Sequence, residues 1–180
     1  MKRQQIILVP TDFGDASVAA WHQAQWLATQ LGGEIHLLHV ISPPAFFDAW
    51  GTEGLALRVS ELLEDAERVA RERLQALVPT SGSLARRVRI ATAVGPTVDR
   101  ILDYADEHAA DFIVMGTHGR GALGHLLLGS VAERCVQRAT VPVLTVHAQK
   151  TMAVQPVRRR PVARVDLRSQ SQRREIRVEK

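Results

Sequence analysis

The chain has 180 residues, 46% hydrophobic and 23% charged, which suits one domain with a tail. No apolar run reaches the roughly 20 residues of a membrane span, and a single cysteine, Cys135, excludes an intrachain disulfide and a cysteine-based metal cluster. The net charge of +4 hides an asymmetry: residues 151–180 hold nine Arg or Lys against three acids, while fourteen basic and sixteen acidic residues precede them. The basicity therefore belongs to the tail and argues against nucleic-acid binding by the globular part.

Ile6–Pro10 reads as a first core strand. Its apolar part is too short for a signal peptide and runs directly into Thr11-Asp12. A turn at Asp12–Asp15 leads to a helix that Ser17 is expected to cap, with Val18, Trp21, Leu27 and Leu31 inward and Gly32-Gly33 as its stop. Glu34–Ile41 is a second strand, broken by Ser42-Pro43-Pro44. Leu55–Leu77 is the longest helix, with Leu62, Leu63, Ala66, Val69, Ala70, Leu74 and Leu77 at helical spacing. Arg87–Val94 starts with alternating charged and apolar residues, as a strand near a sheet edge does. Gly95-Pro96-Thr97 turns the chain into a helix over 97–110. Phe112–Met115 has the length and β-branched content of a buried parallel strand. A glycine-rich loop follows, then Gly129-Ser130, a helix over Val131–Arg138 and a fifth strand, Val141–His147.

The alternation predicts an α/β fold, a doubly wound parallel sheet of five strands with helices on both faces. In such sheets ligands bind beyond the carboxyl ends of the strands. Three polar or glycine loops leave those ends: Pro10-Thr11-Asp12, Gly95-Pro96-Thr97 and Gly116-Thr117-His118-Gly119. Strand, glycine loop and helix start is an arrangement that holds phosphate, because glycines permit close backbone approach and positive φ, and the first helical N–H groups favour an anion. Ser130 is expected to add a hydroxyl or to cap its helix. Arg120 can pair with phosphate oxygens. Asp12 is an acceptor for ribose hydroxyls or a ligand for Mg²⁺; a bare turn-capping role is its alternative.

No lysine P-loop exists in the chain. Gly119-Arg-Gly-Ala-Leu-Gly124 imitates a dinucleotide fingerprint. It lies late in the domain, no second βαβ half follows it, and the next strand carries no acid at the required distance. What does fit is Gly116-x-x-Gly119, nine residues, then Gly129-Ser130, together with Val-Pro-Thr-Asp12, His39-Val40 and Val-Pro-Val143. In these features the chain, over about residues 4–147, resembles the universal stress protein family. The resemblance implies the adenine nucleotide alpha hydrolase-like sheet order 3-2-1-4-5, a homodimer and, in the branch whose glycine spacing this chain carries, ATP at this loop; the last strand, an apolar edge, is expected to pair with its copy across a two-fold axis. It also implies that Asp12 faces the ribose or a metal, that Val40 offers its backbone to adenine, and that Gly116, Gly119, Gly129 and Ser130 hold the phosphates. Pro10, Thr11, Met115, Thr117, His118, Arg120, Gly121 and Val131 complete the expected contacts.

His36 and His39 face opposite sides of their strand and cannot share a metal. Cys135 reads as a small buried hydrophobe. The expectation is a cytoplasmic, ATP-binding regulatory protein, with slow hydrolysis or autophosphorylation at most, since no general base or activated nucleophile is visible in the loop. A dimeric adaptor without a ligand is the alternative. The domain is expected to span 1–148. The tail, 149–180, either attaches to a polyanion by screened attraction or is simply solvated.

Overall fold

The computed structural model describes residues 3–43, 53–117 and 128–147, with side chains from residue 58 onward in the second segment. The tail, the aromatic connection around Phe46 and Trp50, and His118, Gly119, Arg120 and Gly121 lie outside the described residues.

In chain order the elements are β1 (Ile6–Pro10), α1 (Asp15–Leu31), β2 (Glu34–Ile41), α2 (Glu53–Leu77), β3 (Val88–Val94), α3 (Thr97–Glu107), β4 (Phe112–Gly116), α4 (Ser130–Arg138) and β5 (Val143–Val146). The five strands form one parallel sheet in the order β3-β2-β1-β4-β5, as expected. Successive strand residues alternate between two cores. Ile7, Val9, Ile35, Leu37 and Val114 meet α1 and Leu74 of α2; Leu8, Leu38, Ile113 and Met115 meet Val98, Ile101 and Ala105 of α3 and Ala132 and Cys135 of α4.

Several local expectations are corrected. The inward face of α1 is built from Ala16, Ala20, Trp21, Ala24 and Ala28, whereas Leu31 is exposed; small side chains let the helix lie close to the sheet. Its N-cap is Gly14, and Ser17 sits in the first turn, donating to the Gly14 carbonyl at 2.9 Å. On α2, Ala70 and Leu74 are buried, but Leu62 and Val69 face outward. Arg87 precedes its strand, in a short 3-10 turn over Ala85–Arg87. Its guanidinium donates to the carbonyls of Ala28 and Gly33 at 3.2 and 2.8 Å, closing the C-terminal end of α1.

Candidate functional site

A cleft of about 300 Å³ opens at the carboxyl ends of β1 and β4. Pro10, Thr11, Asp12, Val40, Met115, Gly116, Thr117, Gly129, Ser130 and Val131 all line it. Ten of the expected contact residues thus come together, although Asp12 and Ser130 are 118 positions apart in sequence. Thr97, at the start of α3, brings the third expected loop to the same place, and Leu38, Ile101 and Ala132 give the cleft an apolar floor. Sequence reasoning missed Ser17, Leu38, His39, Ile101 and Ala132 as lining residues; a helical wheel of α3 that placed Ile101 below Thr97 would have found one of them.

The β1 side is held by a compact network. The Thr11 amide donates to the Leu38 carbonyl at 2.8 Å, and His39 Nδ1 lies 2.7 Å from the Thr11 carbonyl, which makes that nitrogen the donor. Thr11 Oγ1 donates to Ser17 Oγ at 3.0 Å and accepts from the Phe13 amide at 3.0 Å. Asp12 Oδ1 accepts from the Gly14 amide at 2.9 Å, forming an Asx turn. Phe13 occupies the left-handed region at φ +64°. The conformation is held by the His39 ring, 4.6 Å from the Phe13 ring, and by the Arg73 guanidinium, 4.0 Å above it.

β2 outruns β1. The last pair in register is Pro10 with Leu38. The Leu38 carbonyl turns toward β1, where it accepts from Thr11, and the Ile41 carbonyl turns toward β3, where it accepts from Gly95 at 2.9 Å. Strand alternation then turns the amide and carbonyl of Val40 toward the side that β1 has left. The resemblance singled out this main-chain position, and the geometry supplies a donor and an acceptor beside the apolar floor.

The other wall is the start of α4. Gly129 is its N-cap, with φ −74° and ψ 155°, and Ser130 is its first residue. Ser130 therefore does not cap the helix. The Gly129 amide donates to the Thr117 carbonyl and Glu133 N–H to the Gly129 carbonyl. By helix geometry the N–H groups of 130, 131 and 132 have no acceptor within the helix. Gly116 differs from expectation too: it does not have positive φ. It ends β4 against the backbone of α1, where an added Cβ would lie 2.6 Å from the Ala16 carbonyl carbon. Thr117, buried, places its hydroxyl 2.9 Å from His147 Nδ1.

Asp12 is the one Asp, Glu, Lys or Arg on the described lining. No group of three metal-ligating side chains occurs among the described residues, so a cation at Asp12 would need its remaining ligands from a bound molecule and water.

The universal stress protein family model matches residues 4–147. The chain belongs to this family. It is 34% identical over 146 residues to universal stress protein MJ0531 of Methanocaldococcus jannaschii, covering 80% of this chain and 82% of that one. It is 29% identical to MJ0577 of the same organism, over 81% of this chain and 96% of that protein. The solved structure of MJ0577 superimposes with a TM-score of 0.68 over 79% of this chain and 95% of the other. A family member solved in complex with cAMP is 27% identical, with a TM-score of 0.52 over 80% of this chain and 97% of that chain. No helix among the described residues is long and apolar enough to cross a membrane.

Proposed function

We propose that the cleft binds an adenine nucleotide, ATP with Mg²⁺, and that occupancy regulates which conformation this end of the domain adopts. The observation that carries the reading is the pairing, across one apolar-floored cleft, of a main-chain donor and acceptor at Val40 with the N-terminal end of α4. The first suits the edge of a purine and the second a phosphate chain. The cAMP complex of a family member supports the choice of adenine. Asp12 would repel phosphate oxygens unless a cation lay between them, so binding of ATP is expected to strengthen with Mg²⁺. Gly119 and Arg120 complete the phosphate site in this reading, with Thr117 and Gly116 at its base. The domain boundary at 148 and a cytoplasmic setting belong to the same proposal.

Calorimetric titration of ATP with and without Mg²⁺, and mass spectrometry of nucleotide released on denaturation, test it. At ligand a hundredfold above Kd, binding to the folded state alone adds about 2.7 kcal/mol, a rise in Tm of about 5–10 °C for a domain this size. No released nucleotide, no heat and no thermal shift would refute it and leave the adaptor reading.

Dimerisation through β5 is part of the proposal. β5 is an edge strand, and Leu144 on it and Val136 on α4 are 43% and 50% exposed. An apolar edge needs covering, and a second copy covers it by symmetry. A monomer in sedimentation at micromolar concentration would refute this part.

A further inference from the structure

His36, near the start of β2, is a buried base that the cleft does not use. It is 2% exposed, and its Nε2 makes no hydrogen bond. Glu34 Oε1 lies 3.4 Å from that nitrogen, but the same oxygen is already paired with Arg89 of β3. The carboxylate favours the imidazole proton on Nε2, so Nδ1 accepts from the Tyr104 hydroxyl at 3.2 Å. Tyr104 of α3 and His108, the C-cap of that helix, stack at 3.9 Å, and His108 meets His36 edge-on at 5.5 Å between ring centroids. His108 Nδ1 donates to the Tyr104 carbonyl at 3.1 Å, which ties the ring to the helix end. Among the described residues, the charged and titratable groups facing His36 are Glu34 from its own strand, Arg89 from β3, and Tyr104 and His108 from the α3 side; β1 presents Leu8 in register.

A proton added to His36 has no good place in this arrangement. It goes to Nδ1, which turns that nitrogen from acceptor to donor, and the Tyr104 hydroxyl must turn its own proton away. Burial disfavours the charge, and Arg89 and His108 add like charge against the one carboxylate. A helix C-terminus favours a cation on His108, and that ring is stacked on and bonded to α3. The repulsion therefore acts between the helix and the strand. We propose that His36, Tyr104 and His108 form a proton-operated latch, in which proton uptake at His36 frees the C-terminal turns of α3 from β2. The effect reaches the cleft along the same two elements. His36, Leu38 and Val40 follow one another on one face of β2, and Ile101 and Thr97 precede Tyr104 on α3. Leu38, Val40, Ile101 and Thr97 all line the cleft. Release of α3 withdraws part of the apolar floor and weakens binding there. This consequence rests on the nucleotide reading above; the latch itself does not.

Hydrogen exchange of the full chain without nucleotide, read by mass spectrometry over residues 97–108, tests the latch at about pH 7.5 and about pH 5.5, with exchange times corrected for the intrinsic effect of pH. Two unit charges 5.5 Å apart disfavour each other roughly 100-fold at an effective dielectric of about 20. Water around the exposed His108 reduces this. The expected result is a fall of about tenfold in the protection of α3 at the lower pH, with α1, on the other face of the sheet, unchanged. His108→Gln, on the surface, and His36→Leu should each keep α3 protected at both values. Equal protection of the wild-type helix at both values overturns the latch. Parallel loss of protection in α1 marks global unfolding and overturns it too. Release that persists in either variant overturns the role given to that histidine. ATP titration at the same two values separates the consequence from the latch. Affinity that falls more in the wild type than in His108→Gln is expected. An equal fall in both, with α3 released in the wild type, overturns the link to the cleft. Absence of binding at both values overturns the nucleotide reading and leaves the latch standing.

Discussion

Replacing Gly116 by Ala adds one methyl group at a place with no room for it. The new Cβ would lie 2.6 Å from the Ala16 carbonyl carbon, 2.8 Å from its oxygen and 2.8 Å from the Ser17 nitrogen. All three are main-chain atoms in the first turn of α1, so no side chain can rotate away. Reaching an ordinary 3.4 Å contact requires the strand end and the helix to part by about 0.6–0.8 Å. Overpacking of this kind costs about 1–3 kcal/mol, and the rigidity of the obstacle places Gly116→Ala at about 2–3 kcal/mol. Tm should fall by about 4–12 °C, and the urea midpoint should fall with an unchanged slope. Gly129→Ala is the control. Its φ and ψ suit any residue, and losing glycine as N-cap costs about 1 kcal/mol. Gly116→Ala no more destabilising than Gly129→Ala would refute the contact between β4 and α1.

Three further outcomes are expected. Ala109 has φ +50° after the end of α3; Ala109→Gly should stabilise by about 0.5–1 kcal/mol in urea unfolding. His36 is buried, with Nδ1 3.2 Å from the Tyr104 hydroxyl and Nε2 3.4 Å from Glu34 Oε1, outside hydrogen-bond geometry. Burial lowers its pKa below 6.5 against the opposing pull of Glu34, with His108 and Arg89 adding to the lowering. The unfolded chain therefore takes up this proton first: the stability is present above about pH 6.5 and is lost as pH falls from there through the folded pKa. His36→Leu should flatten that part of the stability–pH curve, and an unchanged slope would count against the assignment. The Cys135 thiol is pushed up to about 11 by burial, so iodoacetamide at pH 8 should leave it unmodified in the native protein and alkylate it in urea.

The strands were legible because burial on both sides leaves unbroken apolar runs: the bounds of β1 and β2 agree with the sequence to the residue. The glycine loop and its neighbours were legible as a site because parallel sheets bring strand ends together. Helix faces were less so. Trp21 and Leu27 of α1 read as inward and pack in or against the core, but alanine carries little weight in a periodic pattern, so the alanine file of that docking face went unseen, while the leucine and valine spacing of α2 overstated its burial at 62 and 69. Serine drew the caps away from Gly14 and Gly129, because both positions combine extended φ and ψ with no side-chain bond. The Thr117–His147 pair is 30 residues apart and exists only through the register of β4 with β5. The strain at Phe13 depends on Arg73 from another element, which no local pattern announces.

The alanines at 16, 20, 24 and 28 recur every fourth residue along the sheet side of α1. An alanine has no rotamer to choose and no side-chain entropy to lose. The file therefore acts as a spacer with no rotamer to adjust, and the sheet-to-helix distance is set by backbone and Cβ contacts alone. Ser17 and Gly14, which brace Thr11, stand at one end of that spacer. A substitution at Ala24 or Ala28, two or three turns away from the cleft, would tilt the helix as a lever and move Thr11 and Asp12 without touching them.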